Sequence, residues 1–363
     1  MAEQAGAAVR VSGADHSSWN GRVAVAAPER KVRGAVTWNN TIEYADEKTT
    51  VPLKEMFANA RVHNQDRETL KSYREAVKTV FHENTHLLAA AGSNHSDAQQ
   101  AFQDPSVRAL EEGITEVHSY DNLNRYIDDL GLEQVAPGIS SADADPSYRE
   151  YTPAARRFAA DLGRQTGQES EDVVRRLAVV NAEQKFRVAA EMMYDNSDLP
   201  GLVPDQERAA AVSRIEEAMK PAFAGVADLD SSDRQQLRRQ SAKAGAASVE
   251  AGNAEIMSLK QQWSMPAPEQ QVQRGSAAEQ GRDTQQTQSS RQSTGSGGQQ
   301  EVQVPREPNA SALPPDLAAA ARAGLTGSRP LSSASRLSED RQGSRGAATS
   351  AVGQQRQGPE TQR

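Results

Sequence analysis

The spacing of apolar residues along this chain changes from a period of two to a helical period. Gly21 to Ala26 and Gly34 to Ala45 alternate apolar and polar positions, with Pro28 and Glu29 between them, and predict two or three short strands. From Asp66 onward the spacing becomes helical. Leu70, Tyr73, Val77, Val80, Phe81 and Leu88 fall in one arc of a wheel turning 100° per residue. Asp66 is suited to cap that helix, and Gly92 to stop it. Asp104-Pro105 opens a second helix, with Val107, Leu110, Ile114 and Val117 as its stripe. After a Gly/Pro/Ser/Asp-rich connection over 131–146, helices are predicted at Thr152–Thr166, Glu169–Tyr194, Pro204–Met219 and Ser231–Trp263. Residues 1–20 are small and polar and read as a flexible N-terminus. Residues 51–64 read as irregular, with one helical turn near 54–59.

Both long helices carry chemistry on the face away from the stripe. On the first, His82, Glu83 and His86 spell H-E-x-x-H, with both histidines nearly opposite the apolar arc. Two imidazoles one turn apart can reach one zinc ion, and the glutamate between them is positioned to take a proton from water on that metal. The competing reading is a solvated helix face that happens to hold His, Glu and His. A catalytic zinc site also needs a third protein ligand and a position left for water. On the second helix Glu112 and Glu116 lie one turn apart, opposite its stripe.

With that segment, Glu111-Glu112-Gly113-Ile114-Thr115-Glu116, the chain resembles the gluzincin branch of the zincin metallopeptidases. The resemblance covers about 65–110 well, the strands before it loosely and nothing after about 200. It implies a zinc-dependent peptidase with one Zn2+ held by His82, His86 and Glu112. Glu116 would hydrogen-bond a ligand histidine and Glu83 would act as general base. It also implies a Tyr or His that stabilises the oxyanion; Tyr148, Tyr151, His118 and Tyr120 are candidates, and Tyr151 is the choice. The strand at 34–45 could then pair with an extended substrate. The rival metzincin pattern fails, because Gly92 and His95 come three residues too late.

Composition separates body from tail. All sixteen aromatic residues lie at or before Trp263. The segment 264–363 is rich in Gln, Ser, Gly, Ala, Arg and Pro, and has little apolar area to set against an ordering cost of about 1–2 kcal/mol per residue. It reads as a disordered low-complexity tail. Asp316 to Ala323 within it is either a partner-binding helix or an Ala-rich stretch. The tail holds eleven Arg and nine acids against a chain total of −8, so the body is acidic, which argues against nucleic acid as a partner. There is no cysteine, so thiolate ligands and disulfides are excluded. No basic segment precedes an apolar run at the N-terminus, and no apolar stretch of about 18 residues exists, so no membrane partner is expected. The expected compartment is the cytoplasm, with signal-less export the other route.

The expected fold is α+β and mostly helical. A zincin-like core (21–135) has a small N-terminal antiparallel sheet and the active-site helix; a C-terminal helical subdomain (136–263) and the tail follow. The expected function is hydrolysis of a peptide or protein substrate. The alternatives are a catalytically inactive zincin-fold scaffold whose tail recruits a protein partner, and a zinc hydrolase acting on something other than peptides.

Overall fold

A computed structural model describes residues 1–89, 95–229 and 232–264. The expected helix stop at Gly92, the His95 side chain, the tail from 265 and its segment 316–323 lie outside the described residues.

The chain starts with helix α1 (Ala2–Ser12), followed by strands β1 (His16–Ser17), β2 (Val23–Val25), β3 (Gly34–Val36) and β4 (Ile42–Tyr44). The N-terminus is therefore helical where a flexible segment was expected. Ala7 and Ala8 are fully buried and α1 packs on α3 (Arg67–His86), because alanines let two helices approach closely while burying little area each. Helix α2 (Val51–Ala58) precedes α3 and extends the single turn expected there.

The sheet has the order β2-β4-β3. β3 and β4 are antiparallel, as expected. β2 and β4 are parallel, because the chain leaves β2, turns back through β3 and returns in the first direction. The expected strand over 34–45 is thus a hairpin, turned at Asn40, whose φ is 63°.

Helix α3 starts where Asp66 accepts a hydrogen bond from the Thr69 amide at 2.9 Å. It ends at His86, earlier than Gly92, because Leu88 and Ala89 form strand β5 (Leu88–Ala89) against β1. Next come α4 (His95–Ala101), α5 (Pro105–Asp121), α6 (Leu123–Asp129) and α7 (Leu132–Val135). Asp104 caps α5 with Pro105 in its first turn.

The remaining helices are α8 (Thr152–Thr166), α9 (Ser170–Ala178), α10 (Lys185–Asp195), α11 (Leu199–Leu202), α12 (Arg208–Met219), α13 (Pro221–Ala224) and α14 (Arg234–Ser264). The single helix expected over Glu169–Tyr194 breaks into α9 and α10. Among the described residues no helix is long and apolar enough to cross a membrane.

Two hydrophobic cores result. The first gathers α1, β4, α2, α3, α6 and α7 around Tyr44, Tyr73, Phe81 and Tyr126. The second gathers α5, α8, α9, α10, α12 and α14 around Phe158, Phe186 and Phe223. Helix α5 turns its stripe, Val107, Leu110, Ile114 and Val117, into the second core, and its other face meets α3. The two helices that carry H-E-x-x-H and the glutamates therefore pack together through their polar faces.

Candidate metal centre

That packing buries the groups expected to face away from the cores: His82 and Glu83 are each 4% exposed and Glu116 1%. It also brings three donor atoms together. The Nε2 atoms of His82 and His86 are 3.1 Å apart, and Oε2 of Glu112 is 3.6 and 3.4 Å from them. Donors about 2.0–2.1 Å from a tetrahedral ion stand about 3.3 Å from each other, so the spacing fits one divalent ion. Glu112 Oε2 is also buried and has no hydrogen-bond partner among the described residues. A buried carboxylate oxygen without a donor is costly, and an ion between the three atoms would satisfy it. His82, His86 and Glu112 are a group that could hold a metal ion.

Each histidine is oriented from behind by a carboxylate of α5. Glu116 Oε2 lies 3.1 Å from Nδ1 of His82, and Glu111 Oε1 lies 2.7 Å from Nδ1 of His86. Each carboxylate meets a buried lysine in turn. Lys78 donates to Glu116 at 2.8 Å, and Lys185 lies 3.2 Å from Glu111. Such contacts leave the Nε2 atoms as the ring nitrogens that face Glu112.

These neighbours set the proton affinities. Burial works to lower the His82 value, but Glu112 and Glu116 outweigh it and hold it up at about 9. His86 is likewise raised against burial by Glu112 and Glu111. Burial works to raise Glu116, yet His82 and Lys78 bring it down to about 2. For Glu83 burial wins over the attraction of the two histidines, and its carboxyl is pushed up.

A cleft of ≈430 Å3 opens onto Glu83, His86, Glu112 and Tyr148. One side is β3, from Gly34 to Val36, and Trp38 and Phe102 meet edge to face at 5.4 Å on its rim. Gly34 is forced by proximity, since a Cβ there would come 2.7 Å from the Glu83 side chain.

Of the tyrosines, Tyr148 reaches the site. Its ring stacks on His82 at 5.2 Å with planes 8° apart, and it holds φ 49°, a costly conformation for a bulky residue. Burial and the charges of Glu112 and Glu83 push its hydroxyl well above the ordinary phenol range. Tyr151 packs against the second core at the start of α8 and lines no part of the cleft. His118 is buried elsewhere, with Ser12 Oγ 2.9 Å from its Nε2, and Tyr120 points outward near Lys78.

Sequence reasoning missed Glu111, Lys78, Lys185 and Gly34 as parts of the site. Lys78 had a readable signal, lying one turn before His82 on the same helix; Lys185, from a helix far downstream, had none.

No family model, curated protein or solved structure matches the chain. The chain is a mostly helical protein with a small sheet, and the group that could hold a metal ion lies where its two cores meet.

Proposed function

We propose that the chain is a zinc-dependent metallopeptidase of gluzincin type, cleaving peptide bonds in the cleft beside His82, His86 and Glu112. The observation that carries this reading is the convergence of three donor atoms, one of them a buried carboxylate oxygen without a hydrogen bond, beside a buried glutamate that faces a substrate-sized cleft. Two imidazoles and a carboxylate, with no thiolate in the chain, are a donor set suited to catalytic zinc.

When bound, such an ion supplies Lewis acidity, lowering the pKa of water and polarising a carbonyl oxygen. Glu83 acts as base. Its carboxylate lies at the cleft, and burial makes it a better proton acceptor than an exposed glutamate. It takes the proton from the attacking water and delivers it to the leaving amine.

Tyr148, in place of the expected Tyr151, donates to the oxygen that becomes negative, since its ring is already held against His82 at the cleft. β3 is one of the two edge strands of its sheet, the one that lines the cleft. Arg33 O and Thr37 N bond back toward the β4 side, so the alternation turns the main-chain groups of Gly34 and Val36 to the sheet's open edge, and both residues line the cleft. An extended peptide could pair there through backbone hydrogen bonds alone.

The test is a pair of variants of the full chain, read by metal content and by cleavage of casein or a peptide library. His82→Ala should lose the metal. Glu83→Gln should keep it and lose about 10²–10⁴-fold in turnover. Full activity in Glu83→Gln removes the mechanism, and a zinc-loaded wild type that cleaves nothing removes the peptidase reading.

A further inference from the structure

Lys185 is 1% exposed, and burying an ammonium ion is expensive unless it is paired and fully hydrogen-bonded. Its Nζ donates to the carbonyl oxygens of Leu177 and Val180 at 2.6 and 2.9 Å, at the end of α9. Neutral donors could satisfy those carbonyls. The charge has its counterpart in Glu111, whose Oε2 is 3.2 Å away.

Glu111 is held at its other end too. Oε1 lies 2.7 Å from Nδ1 of His86 and accepts from Thr115 Oγ1 at 3.3 Å. A glutamate has several rotatable bonds, and contacts at both oxygens leave it one orientation. With Nδ1 engaged there, the His86 ring can present only Nε2 toward Glu112 and His82.

The matching set on His82 differs in origin. Lys78 sits on α3 itself, four residues before His82, and bonds Glu116, the Asp145 carbonyl and Ser147. Lys185 comes from α10 of the second core and meets Glu111, which in turn meets His86 across the seam.

We propose that Lys185 is a positioning residue for the metal site: through Glu111 it fixes the His86 ring, so that a ligand on α3 is oriented by a helix of the other core. The proposal rests on the metal-binding reading above. Removing the ammonium leaves Glu111 buried without its cation, free to turn from His86, and the donor triangle loses one corner.

The test compares wild type, Lys185→Gln, Glu111→Gln and the double variant of the full chain. Zinc affinity is measured by chelator competition, and the visible spectrum of the cobalt(II) form reports the geometry around the ion. Gln at 185 keeps an amide to bond the α9 carbonyls but carries no charge. Each single variant should bind zinc about 10–100-fold more weakly, with an altered cobalt spectrum. The double variant should be no weaker than the weaker single, as expected for residues acting in series.

Wild-type affinity and an unchanged cobalt spectrum in Lys185→Gln overturn the proposal whatever the melting temperature, leaving Lys185 as a support for the end of α9. Additive losses in the double variant overturn it too. If Lys185→Gln does not fold, Glu111→Gln decides, since it leaves the α9 carbonyls bonded, and unchanged affinity there is a refutation. A wild type that takes up neither ion instead removes the metal-binding reading itself.

Discussion

The first core is filled by large rings from distant parts of the chain; Phe81 and Tyr126 stack at 4.2 Å with Tyr44 and Tyr73 nearby. The second has its own trio of edge-to-face phenylalanines, and small residues of α14 bring it close to α8. Ser241 accepts from the Ala154 amide and donates to the Glu150 carbonyl, and Gly245 lies so close to α8 that a Cβ would meet the Ala154 carbonyl. The ring stack of the first core is thus held by aromatic area, and the α8–α14 crossing in the second by close approach. The histidines belong to a helix anchored in the first, and the glutamates to a helix anchored in the second. Metal affinity should therefore report how the two are set against each other, and stability should report each by itself.

The segment that joins the cores gives the largest test of this contrast. It carries Tyr148 to His82, while Tyr151 stays with the second core. Tyr148→Phe should lower kcat by about 10²–10³ with little change in metal content. Tyr151→Phe should stay within a few-fold of wild type in peptide-cleavage assays. The reverse pattern would place the functional hydroxyl on the second core and break the division.

Acid–base behaviour sharpens it further. In the metal-free protein His82 is held up at about 9, so its pairing with Glu112 and Glu116 stabilises the fold fully below its ordinary value of 6.5, and that stabilisation is lost as pH rises through 9. A ligand imidazole must be neutral, so zinc affinity should move the other way, gaining about tenfold per pH unit for each proton displaced. Melting curves with and without zinc between pH 6 and about 10 should diverge. Parallel curves would mean that the histidines at the seam are not the ligands.

The smallest effect is expected away from the seam. Gly245→Ala should cost about 1–3 kcal/mol of stability, from overpacking α14 on α8. Zinc affinity of the folded fraction should be unchanged, measured by chemical denaturation beside chelator competition. A matching loss of affinity would show that the second core cannot be disturbed without disturbing the site.

Much of the site was legible because it is local. His82 and His86 are one turn apart on a helix whose Asp66 cap and apolar stripe are written in the sequence, and Asp104-Pro105 marks α5 equally well. Glu112 and Glu116 could be placed on one face of α5 by the same periodicity. Helix α1 was not legible, since its buried face is mostly alanine, with Val11 and Ser12, and carries little hydrophobic contrast. The break between α9 and α10 was missed because no Gly or Pro stands there. Tyr148 and Tyr151 both stand just before α8 in the sequence, and nothing local shows that Tyr148 would adopt φ 49° and stack on His82.

By itself the sequence determined which side chains could bind a metal and on which helix faces they stand, since helical geometry turns spacing directly into direction. Only the tertiary structure decided that the faces of α3 and α5 close on each other, that Gly34 makes room for Glu83, and that Lys78 and Lys185 hold the two supporting carboxylates. Those are contacts between residues distant in the chain, fixed by how two separately anchored helices pack and not by any period along either one.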